Sequence, residues 1–362
     1  MTYALPDGNR ASEIAESLSR WYERNARELP WRGSKDPYAV WISEIMAQQT
    51  RIAVILPYYE RFMERFPTVR ALAAADPGDV LKAWEGLGYY SRARHLHRAA
   101  QEIVDRHGGE LPADPEALRT LPGIGEYTAG AISSIAFDRP TPAIDGNVLR
   151  VFSRIEANGA DVTLASTKRS LFAYLRRVIP TGPGEAGLFT QATMELGALV
   201  CLPAKPLCDR CPVRSLCKAF SLGVPSDFPV RAPKKPRRKE RKTVLVVIDE
   251  TGSVWMRQRT ERLLHGLWEF YLLDGAWKER CVREHLLAHG FSCEVVEALG
   301  AVRHVFTHVI WEMTGFLCVV RAVGEAQTPE GYLRLSADEA ERMPMPSAFA
   351  LYRRRVSPAV RA

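Results

Sequence analysis

The stretch "LPGIGEYTAGAISSIAFDRPTPAIDGNVLRV", Leu121 to Val151, decides how the larger, N-terminal part of the chain is read. Gly123 and Gly125 flank Ile124 in a tight turn and an amphipathic run follows, so the spacing predicts two helices joined by a short hairpin. Glycines in such a turn permit positive φ and close approach of another group. The backbone N–H groups that open the second helix then point outward, which suits a phosphate. Tyr127 falls in the first turn of that helix. Asp145 stands just ahead of another apolar-periodic run and reads as its N-cap. Capping hydrogen bonds lower a carboxyl pKa, so Asp145 is expected to stay anionic. Taken alone, an ordinary helical hairpin and an ordinary cap explain both features.

Outward from this stretch, apolar residues recur at three- and four-residue spacing from Ser12 to Leu222, predicting helices over Ala39–Phe62, Pro77–Trp84, Arg92–His107, Pro115–Leu121 and Thr167–Val178. After Lys242 the texture changes. "TVLVVID", "GSVWMRQR" and "FLCVV" read as strands, and "WKERCVREHLLAHG" reads as one helix with Gly290 at its C-terminal cap. The chain of 362 residues therefore divides into an all-α domain over residues 1–220, a linker over 221–242 and an α+β domain over 243–362. The net charge of +7 is concentrated in the linker, where eight Lys/Arg stand against two Asp/Glu. "RAPKKPRRKERK" (Arg231–Lys242) is too polar to fold alone and reads as a solvated linker, one that can also touch nucleic acid or a protein partner. No run of about 18 apolar residues reads as a membrane span. The N-terminus has no basic start followed by an apolar run, so an intracellular, cytoplasmic protein is expected.

Four of the seven cysteines crowd into "CLPAKPLCDRCPVRSLC": Cys201, Cys208, Cys211 and Cys217, spaced C-x6-C-x2-C-x5-C. In an intracellular chain such crowding points to metal ligands more than to disulfides. Zinc usually takes two C-x2-C pairs. With only one close pair here, a [4Fe–4S] cluster is favoured, zinc being the alternative. Lys205, Arg210, Arg214 and Lys218 make this loop cationic, which suits a phosphate backbone. Cys281, Cys293 and Cys318 are expected to be core thiols.

Together, the hairpin, the Asp that follows it and the cysteine spacing resemble the helix–hairpin–helix DNA glycosylases that carry an iron–sulfur cluster, and among them the MutY family of adenine DNA glycosylases. The resemblance extends to "RELPWR" (27–32), "PYAVWISEIMAQQTRI" (37–52), "WEGLGYYSRARHLHRAA" (84–100), "QATMELGALVC" (191–201) and "VRHVFTHVIWEM" (302–313). That family removes adenine mispaired with 8-oxoguanine, acting on double-stranded DNA in base excision repair. The resemblance implies that Glu44 protonates N7 of adenine and then helps activate water, and that Asp145 stabilises the oxocarbenium-like sugar. Cys201, Cys208, Cys211 and Cys217 would hold the [4Fe–4S] cluster. Lysine stands at the Tyr127 position in relatives that also cut the strand through a Schiff base. A phenol forms none, so the resemblance implies a monofunctional enzyme that leaves an abasic site. Tyr127 itself would position the sugar or water. Gly123 and Gly125 would present backbone donors to the strand, and Gln49 and Tyr89 would wedge the stack vacated by the flipped base. Arg27, Trp31, Arg32, Gln48, Thr50, Asn147 and Gln191 match positions near the adenine pocket or the catalytic pair.

Residues 243–362 resemble the MutT-like, Nudix-related domain that recognises 8-oxoguanine. A hydrolysing relative needs R-E-x-x-E-E-x-G, whose glutamates hold Mg²⁺. Here "REHLLAHG" (Arg283–Gly290) puts Leu287 and Ala288 at the two glutamate positions, so this domain is expected to bind and not hydrolyse. Phe306, Thr307 and His308 match a recognition loop that more often reads Phe-Ser-His, and Tyr271 stands where the family usually has Pro. The expected protein is a monomer with the mainly α glycosylase domain, its iron–sulfur loop and a C-terminal α+β domain, bound to duplex DNA with A:8-oxoguanine or A:G mispairs and to no membrane. Its competitors are a bifunctional glycosylase/lyase, a non-catalytic iron–sulfur damage sensor and, least favoured, a nucleotide pyrophosphatase.

Overall fold

The computed structural model describes residues 3–233, 236–323 and 328–356. It forms two compact units, Met1–Ala75 with His95–Lys234 and Asp76–Arg94 with Lys235–Ala362. The helices up to residue 221 are α1 (Gly8–Asn25), α2 (Pro37–Ala47), α3 (Ile52–Arg65), α4 (Val69–Ala74), α5 (Pro77–Ala83), α6 (Ser91–His107), α7 (Pro115–Arg119), α8 (Glu126–Ile135), α9 (Gly146–Ile155), α10 (Ala165–Val178), α11 (Glu185–Leu199) and α12 (Lys218–Ser221). Asp-Pro pairs start three of them. Asp36, Asp76 and Asp114 each cap a backbone N–H while the following proline sets the first helical φ. Helices α1, α9, α10 and α11 share a core that includes Ile14, Leu18, Phe152, Tyr174 and Phe189. Among the described residues no helix is long and apolar enough to cross a membrane.

The single helix expected over Ala39–Phe62 is two. The chain leaves α2 at Gln48, turns through Gln49 at φ +60° and re-enters helix at Ile52. No Gly or Pro marks the break, and left-handed φ is rare for such a residue. In the hairpin between α7 and α8 only Gly123 has positive φ (+78°), and a Cβ there would sit 2.6 Å from His95 Cβ. Gly125 is extended (φ −90°, ψ −179°) with open space around it, so the positive φ foreseen for both glycines is needed at one. Gly123→Ala is expected to destabilise the chain by about 1–3 kcal/mol. Gly125→Ala should leave stability unchanged or raise it by up to about 1 kcal/mol. Chemical denaturation of the two variants checks this, and equal effects would refute it.

Among the described residues the second unit holds a six-stranded sheet in the order β4-β5-β1-β3-β2-β6. The strands are β1 (Arg238–Asp249), β2 (Val254–Gln258), β3 (Trp268–Asp274), β4 (Phe291–Val305), β5 (Val309–Ala322) and β6 (Leu333–Leu335). The β1–β5 pair is parallel and the others antiparallel. β1 is buried continuously from Thr243 to Asp249, as a central strand covered on both faces should be. It begins at Arg238, inside the stretch expected to be linker, because Arg238–Lys242 already pair with Val309–Met313. Lys234 and Lys235 of that basic stretch lie outside the described residues. Helix α13 (Glu279–Ala288) covers one face through Val282 and Leu286, and the Tyr271 hydroxyl joins β3 to it through His285 Nε2 at 2.8 Å. The helices α14 (Ala337–Arg342) and α15 (Ala350–Arg353) follow the sheet, whose other face packs Phe270 and Trp311 with Phe349 and Tyr352. The thiols expected in the core differ. Cys318 is buried and Cys293 half-buried, but Cys281 is exposed, because its neighbour Val282 takes the inward position on α13.

Candidate active site

From Tyr38 to Met46 every residue of α2 is buried except Glu44, which is half-buried. α2 packs on α8, and the Tyr127 hydroxyl from the first turn of α8 donates to Glu44 Oε2. Tyr127 also lies 3.9 Å from Met194 Sδ. Burial pushes the Glu44 carboxyl up to about 7. The Tyr127 bond and the charge of Arg32 pull against that rise, and the charge of Asp145 adds to it. Tyr127 is pushed well above its ordinary range by burial and by both carboxylates, so it remains a phenol near neutral pH.

Asp145 caps α9 as expected. Its Oδ1 accepts Asn147 N at 2.9 Å and Val148 N at 2.7 Å, and its Oδ2 accepts Asn147 Nδ2 at 2.8 Å. The expectation that these bonds hold its pKa low is overturned. Burial outweighs them and the nearby Arg150 charge, and the pKa is raised. The Asp145 charge also disfavours charge on Glu44. Asp145, with three hydrogen-bond donors, is the better seat for the anion, and Glu44 for the proton.

A second cluster gathers Arg27, Arg32 and Gln191 around two residues that sequence reasoning missed. Glu195 on α11, with 1% of its surface exposed, accepts Arg27 N at 3.0 Å, Arg27 Nε and Nη2 at 2.7 Å, and Arg32 Nη2. These bonds hold its carboxyl down at about 2 against the cost of burial. Gln191, one turn earlier, accepts the Tyr22 hydroxyl at 3.0 Å, and Arg32 lies over the Tyr22 ring. The available signal was a lone glutamate in the otherwise uncharged "QATMELGALVC". Trp31 packs edge-on against Tyr59 at 4.8 Å. Gln48 Nε2 donates to Thr128 Oγ1 at 3.2 Å, and Thr50 bonds back to Ala47 O and Gln48 O. Gln49, at the break, is exposed.

From Asp145 a chain of bonds reaches the cysteine loop. Asn147 Oδ1 accepts Arg150 Nη2 at 2.8 Å, and Arg150 Nε donates to Cys201 O at 2.7 Å. Cys201, Cys208, Cys211 and Cys217 line one pocket with apolar walls that include Val151, Leu196 and Val213. Buried Arg154 touches the pocket twice. Its Nη1 donates to Cys201 Sγ, and its carbonyl accepts Cys217 Sγ, both at 3.3 Å. Among the described residues no three His, Cys, Asp or Glu side chains are placed to hold a single metal ion.

In the second unit, Phe306, Thr307 and His308 form the turn between β4 and β5, closed by Phe306 N to Val309 O at 2.9 Å. Phe306 packs on Trp311, while Thr307 and His308 are exposed. With Leu263 and Leu264 they line a cavity that also includes Tyr89, whose hydroxyl accepts Thr307 Oγ1 at 3.5 Å. Tyr89 is left-handed (φ +48°) and exposed. Leu287 and Ala288 face solvent on α13, without carboxylates.

A helical hairpin beside a paired Glu and Asp, with a thiol-lined loop, defines a helix–hairpin–helix base excision glycosylase. Residues 42–179 match the HhH-GPD superfamily of base excision DNA repair proteins, and residues 243–354 match the NUDIX domain. The chain is 37% identical to the adenine DNA glycosylase of Mus musculus over 81% of its own length and 68% of that protein. It is 36% identical to the adenine DNA glycosylase of Homo sapiens over 81% of itself and 64% of that protein. The chain belongs to the adenine DNA glycosylases, and it is an enzyme. The fold of a thermostable thymine-DNA glycosylase also matches, at 24% identity and a TM-score of 0.53, covering 59% of this chain and 98% of that one.

Proposed function

We propose that the chain hydrolyses the N-glycosidic bond of adenine opposite 8-oxoguanine or guanine in duplex DNA, acting inside the cell as a monomer and leaving an abasic site in an uncut strand. The hydrogen bond from Tyr127 to Glu44, beside the charge of Asp145, carries this reading. Glu44, neutral below about pH 7, gives its proton to N7 of the flipped adenine. The C1′–N9 bond then breaks, its electron pair leaves with the base, and Asp145 faces the sugar cation that remains. Water adds to C1′ and returns its proton to Glu44. Tyr127 orients the Glu44 carboxyl throughout and offers no amine for a Schiff base.

The first-turn N–H groups of α8 have no side-chain cap and suit a strand phosphate. Gln49 and Tyr89, both exposed and left-handed, suit the wedge role, since such strain recurs at functional sites. The Thr307 and His308 turn reads the base opposite adenine. The four thiols would hold a [4Fe–4S] cluster. They stand around a cavity, whereas a single zinc needs its sulfurs at about 2.3 Å from one point. When bound, the cluster would tie the cationic loop together through iron–thiolate bonds. Of the basic stretch Arg231–Lys242, whose last five residues open β1, the exposed Arg231, Arg238 and Lys239 suit contact with nucleic acid or a protein partner.

Duplexes carrying A opposite 8-oxoguanine, G, C and T test the substrate. Free adenine and alkali-dependent strand cleavage are expected, with 8-oxoguanine preferred. Efficient covalent trapping by borohydride would instead support a lyase, and binding without released adenine would support a sensor. Tyr127→Phe removes the bond that lowers the Glu44 pKa, so the midpoint of the pH–rate profile should move above about 7. A midpoint that stays or falls would separate Tyr127 from the acid.

A further inference from the structure

Glu85 and Arg353 have no part in the chemistry above, and neither lines the cavity that holds Tyr89 and Thr307. Both lie in the second unit. Glu85 pairs with Arg353 and accepts Met345 N at 3.1 Å, while Lys82 Nζ reaches its other oxygen at 2.8 Å. Lys82 and Arg353 also donate to Glu341 O, at 2.8 and 2.6 Å. Met345 and Arg353 from the C-terminal segment, with Lys82 from the turn before, thus close on one half-buried carboxylate, a network and not an isolated surface pair. Tyr89 follows four residues later, beyond Gly86 (φ +102°) and Gly88 (φ +71°). Glycines leave this loop's path to its anchors. The anchor on the far side is Arg94, whose Nη1 donates to His265 O at 2.5 Å, next to the cavity-lining Leu263 and Leu264.

We propose that Glu85 and Arg353 form a clamp that positions Tyr89 against the Thr307 and His308 turn, and so sets the preference for 8-oxoguanine over guanine opposite adenine. Both are positioning residues, and the clamp rests on the 8-oxoguanine reading given above. A displacement of about 1 Å costs roughly a hundredfold in a well-ordered site, so a smaller shift of Tyr89 suffices for a tenfold effect.

The test uses the full chain with Glu85→Ala, Arg353→Ala, the double variant and Arg353→Lys. Single-turnover adenine release is measured opposite 8-oxoguanine and opposite guanine. Each alanine variant should lower the ratio of the two rates about tenfold, the 8-oxoguanine rate falling more than the guanine rate. The double variant should be no worse than either single, as for two halves of one contact. Arg353→Lys keeps the charge and should keep most of the ratio. An unchanged ratio, whether the two rates hold or fall in the same proportion, overturns the clamp. A parent chain with no 8-oxoguanine preference overturns the substrate reading instead, and shows it before any variant is compared.

Discussion

Glu44→Gln is expected to lower adenine release by about 10²–10⁴-fold, the usual worth of a positioned general acid, while duplex binding persists. The amide fills the same space beside Tyr127 but has no proton to give N7. In the parent the rate should be flat below about pH 7 and fall as pH rises through it, because the protonated carboxyl is the active form. In the variant that limb disappears. The substitution should move stability the opposite way to the rate. The folded carboxyl titrates near 7 and the unfolded one near its ordinary 4.5, so the folded state binds the extra proton between those values and loses stability as pH rises through that window. Glu44→Gln removes the loss and should unfold at a higher temperature than the parent at pH 8. Single-turnover base release and thermal unfolding across pH 5–9 read both effects. Near-native turnover would remove Glu44 from the acid role.

Asp145→Asn should cost about 10²–10³-fold in release, since the sugar cation loses its facing charge. Asn caps a helix about as well as Asp, so α9 should survive and thermal stability should change little. This substitution keeps the pH limb and moves it. The Asp145 charge helps hold the Glu44 pKa up, so its removal should shift the midpoint below about 7. The opposite signs expected for Tyr127→Phe and Asp145→Asn make the three-residue arrangement testable as a unit. A release rate unaffected by Asp145→Asn would leave the residue a structural cap only.

Local chemistry made much of this legible before any coordinates. The glycine hairpin, the cap at Asp145 and the helix starts at Pro77 and Pro115 are written in neighbouring residues, and they appear where their spacing puts them. What escaped was set at a distance. The break after α2 has no breaker residue, and Gln49 adopts its left-handed turn without a glycine to announce it. The Asp145 pKa turned on burial, which no cap reveals. Glu195 looks like an ordinary helix residue until Arg27 and Arg32 arrive from the loop after α1. The first residues of β1 are as basic as a linker because they pair with β5 by backbone bonds that composition does not record.

The membership of Asp76–Arg94 in the second unit bears on how the chain is made. Leu81 and Tyr90 leave the ribosome early, and Gly266 and Met345, against which they come to rest, are added much later. At about 5–20 residues per second the interval is on the order of ten seconds. Through that time the nascent N-terminal part carries a segment whose neighbours do not yet exist, and chaperones have their longest opportunity there.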